Sequence, residues 1–137
     1  MDSMECYALQ NNYTLIVVYS EDFGEICEQK DITFQRHCIT AHILRTNNFS
    51  WVLFVDGDIG IVNEKIRLEK YIKEDAHIIF YERFFNFEVM AGTYFARKST
   101  FSLIFLRGWA DYEFRLPKNF HGRDNGALHR KTHHLNE

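Results

Sequence analysis

The clearest signal in the pattern of apolar and polar positions is 51–55, five apolar residues in a row that end in Asp56-Gly57-Asp58. So short a run without polar alternation predicts a strand buried on both faces, the habit of mainly parallel sheets. Residues 14–19 are β-branched and aromatic and predict a second strand, and residues 77–81 a third. Residues 84–97 read as an aromatic-rich strand or hairpin, in which Gly92 marks a bulge or a close backbone approach. Three-and-four spacing appears at Phe34, His37, Cys38, Ala41, Leu44 and Arg45, widened by Ile39 and Ile43. It predicts a helix over 33–46 capped by Asp31 or Thr33. A mixed-charge stretch with Ile66, Tyr71 and Ile72 on one side predicts a helix over 64–74. Phe101, Ile104, Phe105, Trp109 and Tyr112 predict another over 99–114, with Ser99 as its cap and Leu116-Pro117 as its end.

Residues 4–12 read as the end of a helix stopped by Asn11-Asn12, and residues 20–30 as a loop. Residues 125–129 form a short helix capped by Asp124, before a frayed tail over 130–137. Helices alternate with strands as far as residue 80, which predicts an α/β layered domain with a central, mainly parallel sheet flanked by helices. At 137 residues with one proline, the chain fits a single domain without a long linker. A net charge of −3 and no basic patch with interleaved aromatics disfavour binding through phosphate neutralisation, so no nucleic-acid partner is expected. No apolar run approaches a spanning helix, and no signal segment is visible at Met1-Asp2-Ser3. Cys6, Cys27 and Cys38 lack metal-type spacing and read as small buried residues or free thiols; which of them pair, if any, is open.

The chemistry centres on Asp56 and Asp58. Alternation along an extended strand points both carboxylates the same way, at the carboxyl end where open α/β sheets bind ligands. Two carboxylates there suit a hard cation, Mn²⁺ or Mg²⁺, bridging to a diphosphate. An isolated Asp-x-Asp in a chain with 19 acidic residues is weak, and a solvated turn is its plain alternative. His37 and His42 fit better as core-edge or surface histidines than as catalysts. His129, His133 and His134 fit a solvated tail better than a metal site.

In order, Trp51–Asp58, Val89-Met-Ala-Gly-Thr-Tyr-Phe-Ala-Arg97, Trp109 and Asp124-Asn125-Gly126-Ala127-Leu128-His129 resemble a nucleotide-diphospho-sugar transferase of the GT-A type. The closest likeness is to nematode proteins related to the galactosyltransferase family of yeast mannan and galactomannan synthesis. The resemblance implies a metal-dependent, retaining transfer of a hexose from a nucleotide sugar, a UDP-hexose, to a glycan acceptor in the Golgi lumen. It implies that Asp56 and Asp58 hold the metal and that Ala91, Gly92 and Thr93 line the donor or acceptor pocket. Asp124 and Asn125 then stand at the reacting centre. Met90 stands where relatives often have Asn, and Asn125 where they often have Gln. The resemblance further implies a partial domain over 1–137 that lacks its first strand and stops early. A catalytically incomplete binding remnant is therefore the second reading. A haloacid-dehalogenase-type phosphatase, with Asp56 as nucleophile, is the third, and Ile59-Gly60 after the motif argues against it.

Overall fold

A computed structural model describes residues 3–134, with side chains described as far as residue 131. The helices are α1 (Ser3–Gln10), α2 (Ile32–Thr46), α3 (Thr100–Ala110) and α4 (Arg123–His134), and the strands β1 (Trp51–Val55), β2 (Ile78–Glu82) and β3 (Val89–Arg97). The two long predicted helices form where their patterns place them. Asp31 caps α2 by accepting the Thr33 amide (2.9 Å), and Ser99 caps α3 by accepting that of Ser102 (3.2 Å). Helix α1 stops where Asn12 takes a left-handed backbone (φ 58°), which asparagine tolerates.

The sheet corrects the expected architecture. Among the described residues it has three strands in the order β1-β3-β2, and both pairings are antiparallel. The central, mainly parallel sheet expected from the 51–55 run and from the alternation of helices and strands is not formed. Residues 83–88 join β2 to β3 as a hairpin, which forces antiparallel pairing. β1 is an edge strand, partly exposed along its whole length, so its apolar run does not report burial in the middle of a parallel sheet.

Two other elements differ from expectation. Residues 14–19 do not pair into the sheet; they run as an exposed stretch with Val17 and Tyr19 more than 60% accessible. β propensity has no effect without a neighbouring strand to fit against. Residues 64–74 hold only a 3₁₀ turn, Leu68–Tyr71. Tertiary contacts override the helical preference there: Tyr7 donates its hydroxyl to the Ile66 carbonyl, and the Leu68 amide bonds the Tyr13 hydroxyl. At the other end, residues 130–134 continue α4 instead of fraying, and Lys131 reaches the Phe105 carbonyl (3.0 Å). Residues 135–137 lie outside the described residues.

One face of the sheet packs on α2, α3 and α4. Its core holds Phe34, Leu44, Tyr94, Ala96, Leu106, Trp109 and Leu128, with Val52, Phe54, Ile78 and Phe80 partly buried against them. A second cluster forms around a Cys27–Cys38 disulfide, which corrects the expectation of free thiols; Cys6 is the free cysteine. The disulfide ties the loop before α2 to the turn that carries His37.

Candidate functional site

In the register of β1 against β3, Phe54 faces Tyr94 on the helix side of the sheet. The next pair on that side is Asp56 and Gly92, and the Asp56 amide bonds the Gly92 carbonyl (2.9 Å). The Asp56 carboxylate therefore projects over Gly92 toward α2. A β-carbon on residue 92 would lie 2.7 Å from Asp56 Oδ2, so the close approach read from sequence is between Gly92 and Asp56 itself. β1 ends at Val55, and the Ile59 amide bonds back to the Asp56 carbonyl (3.1 Å). Strict alternation stops at this turn. Asp58 is exposed, yet near enough for its charge to act on Asp56.

Asp124 arrives from the first turn of α4 and is 4% exposed. Its Oδ2 accepts from Arg36 Nη2 (2.6 Å), Arg36 Nε (3.0 Å) and His37 Nε2 (2.8 Å). The other terminal nitrogen of Arg36, Nη1, pairs with Asp56 Oδ1. One guanidinium thus joins the carboxylate at the end of β1 to the carboxylate of α4. Trp109 fixes the same corner from α3. Its indole N–H donates to the Asp124 carbonyl (2.9 Å), and its ring stacks on His37 with centroids 3.4 Å apart. Arg123, just before Asp124, holds a left-handed backbone (φ 46°), a strained conformation that packing of this corner must sustain.

The tautomer of His37 follows from its partners. An ionised carboxylate only accepts, so Nε2 carries the proton and Nδ1 accepts from the Tyr94 hydroxyl (2.8 Å). Complete burial pulls the His37 pKa down from 6.5 to about 4, so the ring is neutral at pH 7. Burial also pushes the Tyr94 phenol up, which keeps it a donor. Burial alone would raise Asp124, but the hydrogen bond from His37 and the nearby Arg36 charge outweigh it and hold Asp124 below its ordinary value. Asp56 is raised, chiefly by burial, with Asp58 and Asp124 adding to the effect and Arg36 opposing it.

The other expected site residues fall around this network. Asn125 Oδ1 accepts the Ala91 amide (2.8 Å), and its Nδ2 donates to Glu88 Oε1 (2.6 Å), so Asn125 clamps β3 to α4. Thr93 turns its hydroxyl onto the Gly92 carbonyl (2.7 Å). Trp109 is core, as expected. Arg97 lies at the far end of β3 and bonds the Glu74 carbonyl (2.8 Å), away from the carboxylates. The side chains of His133 and His134 lie outside the described residues.

Sequence reasoning missed Arg36 and set His37 aside as a core-edge residue. Their one available signal was an Arg-His pair bordering the apolar stripe of α2. Among the described residues, no three His, Cys, Asp or Glu side chains gather to hold a metal by themselves.

The chain belongs to the family described as "Protein of unknown function, DUF273", which it matches over residues 4–134. Comparison with curated proteins and with solved structures gave no match.

Proposed function

We propose that this chain carries a cation-assisted sugar-nucleotide site that transfers a hexose from a nucleotide-diphosphate donor, a UDP-hexose by resemblance, to a glycan acceptor. The observation that carries the reading is convergence. Three stretches that resemble transferase motifs, distant in sequence, meet through Asp56 over Gly92, the Arg36 bridge to Asp124, and Asn125 on Ala91.

Charge supports a divalent cation. Asp56 and Asp124 share one guanidinium, His37 is neutral, and the exposed Asp58 adds its charge beside Asp56, so acidic groups outnumber the basic one at this corner. Mn²⁺ and Mg²⁺ are commonly held by one or two carboxylates plus substrate phosphates, the donor set that Asp56 and Asp58 with a diphosphate would supply. Asp56 and Asp58 would hold the ion, which when bound neutralises charge on the departing diphosphate. Asp124 stays ionised and is fixed by three donors on one oxygen, so it presents a preset negative charge to the positive character that builds at an anomeric carbon. Gly92, without a side chain, gives the Asp56 carboxylate the room it takes against β3, between Ala91 and Thr93. Asn125, engaged by Ala91 and Glu88, positions Asp124 and does not touch the reacting atoms. The Cys27–Cys38 disulfide supports an oxidising compartment, in keeping with a Golgi lumen. Among the described residues, no helix is long and apolar enough to cross a membrane.

A second reading, nucleotide binding without transfer, is favoured by one observation: Arg36 already neutralises Asp56. Calorimetry with UDP tests both. Binding that needs Mn²⁺, disappears with EDTA and is lost in a folded Asp56→Ala variant is expected. UDP binding indifferent to EDTA removes the cation from the site. Mn²⁺-dependent binding without donor hydrolysis or transfer leaves the binding reading.

A further inference from the structure

The tip of the β2–β3 hairpin presents three phenylalanines to solvent: Phe84 is 98% exposed, Phe85 80% and Phe87 75%. Three large aromatics this exposed within four residues of one turn mark an interaction site. The shape of the turn is fixed mainly by backbone and polar side chains, and Arg83 also lies over one face of the Phe85 ring, 5.9 Å from its centroid. The Phe87 amide bonds the Arg83 carbonyl (2.8 Å), and the Arg83 amide bonds that of Glu88 (2.8 Å). Asn86 accepts the Glu88 amide (3.1 Å), and Arg83 pairs with Glu88 (3.2 Å). Phe87 itself holds a left-handed backbone (φ 56°), a conformation that costs a phenylalanine about 1 kcal/mol or more. The turn would form more easily with asparagine or glycine there, so the rings are not explained by the turn.

The position of the hairpin indicates its ligand. Glu88, at its base, is bonded to Asn125, the neighbour of Asp124 and the clamp on Ala91. Along the chain Phe87, the nearest of the three rings, lies five residues from Gly92, about 17 Å at 3.3 Å per residue, within the span of an oligosaccharide of a few rings. Flat aromatic faces beside Arg83, Asn86 and Glu88 combine surfaces for the C–H faces of sugar rings with planar groups for their hydroxyls. Across residues 82–88 the one basic side chain, Arg83, is paired with Glu88 (3.2 Å) and Glu82 adds a second acid, so the turn offers no spare positive charge to an anionic lipid surface or a nucleic acid.

We infer that Phe84, Phe85 and Phe87 form a platform for the neutral oligosaccharide acceptor, extending the site away from the carboxylates. The inference rests on the transferase reading for the word acceptor, and on the hairpin alone for the saccharide. The full chain is titrated with neutral cello-, malto-, manno- and galacto-oligosaccharides, from disaccharide to hexasaccharide, beside a Phe84→Ala/Phe85→Ala/Phe87→Ala variant. UDP with Mn²⁺, phosphatidylcholine vesicles and sedimentation velocity are run on both proteins. The expected result is that one series binds more tightly as its chains lengthen. The variant, whose substitutions are all exposed, weakens this by about tenfold or more and leaves UDP binding unchanged. Failure of every series, or equal binding by the variant, overturns the platform. Vesicle binding or self-association that depends on the three rings, without saccharide binding, overturns it in favour of a membrane or a second copy. Saccharide binding without Mn²⁺-dependent UDP binding keeps the platform and removes the transferase reading.

Discussion

Asp56 and Asp124 lie far apart in sequence yet share one guanidinium, whereas Asp56 and Asp58 are two residues apart and share no hydrogen bond. The Asp124 corner is held from four elements: α2 supplies Arg36 and His37, β3 Tyr94, α3 Trp109 and α4 the carboxylate. The Asp58 side is a turn open to water. Tertiary structure thus fixes one carboxylate as a permanent anion inside a hydrogen-bonded network and leaves the other free to meet a ligand. The proposed site, which would receive a cation and release a product, needs both: a rigid wall and a wet edge.

The sharpest way to break this contrast is Asp124→Ala. It leaves Arg36 and His37 without their shared acceptor in a buried corner, and losing one partner of a buried ion pair costs about 3–5 kcal/mol. Urea unfolding should show that loss in the midpoint with little change in slope. A loss below about 1 kcal/mol would mean that the corner repacks freely and is not the rigid wall described here.

The next effect comes from the disulfide that anchors α2 beside His37. Its cysteines are 11 residues apart, and removing such a cross-link by Cys27→Ala/Cys38→Ala should cost roughly 2–3 kcal/mol. Stability of the wild type under reducing conditions should fall toward that of the variant. If neither loses stability, the bond does not anchor the helix.

Legibility in the sequence divides along the same line. Helices α2 and α3 and their caps Asp31 and Ser99 were readable because stripe and cap are local. β1 and β2 were readable as strands, but their partners were not, because pairing is decided between residues far apart in sequence. The hairpin at 83–88 turned an expected parallel sheet antiparallel, and the strand expected at 14–19 found no neighbour. The motif resemblance singled out Asp56, Asp58, Gly92, Asp124 and Asn125, and the structure brings Asp56, Gly92, Asp124 and Asn125 to one corner. Arg36 and His37 were not, because the carboxylate that gives them meaning lies 87 or 88 residues away. A polar residue on an apolar stripe is legible as a core-edge residue, and its partner only in three dimensions.

Acid should weaken the rigid wall. The folded pKa of His37 is lowered to about 4 from 6.5. Between these values the unfolded chain binds the extra proton, so stability falls as pH drops from about 6.5 toward 4. Asp124, also lowered, acts in the same direction at more acid pH, as its folded-state advantage is lost when it protonates. Asp56, raised by burial, acts the other way and offsets part of the loss. Facing His37 are Asp124, Arg36 and Tyr94, and only Asp124 among them titrates near this window. A net loss on the order of 2 kcal/mol between pH 7 and pH 4 is expected. A His37→Phe variant should be less stable at pH 7 and should show a flatter pH profile. An unchanged profile would show that His37 is not the titrating group.

The smallest effects on stability should be the largest on ligand binding, and they sharpen the contrast most. Asp58→Ala removes an exposed side chain and should change stability by less than about 0.5 kcal/mol. Gly92→Ala places a β-carbon 2.7 Å from Asp56 Oδ2, the far end of a side chain that can turn aside, so it should cost only about 1 kcal/mol. Both should abolish or strongly weaken Mn²⁺-dependent UDP binding, the first by removing a ligand and the second by displacing one. The two failures differ in kind. More Mn²⁺ should partly rescue Gly92→Ala, where both carboxylates remain, and should not rescue Asp58→Ala. Equal binding by Asp58→Ala and wild type would place the cation, if there is one, on Asp56 alone. The wet edge of the comparison would then have no role in holding the donor.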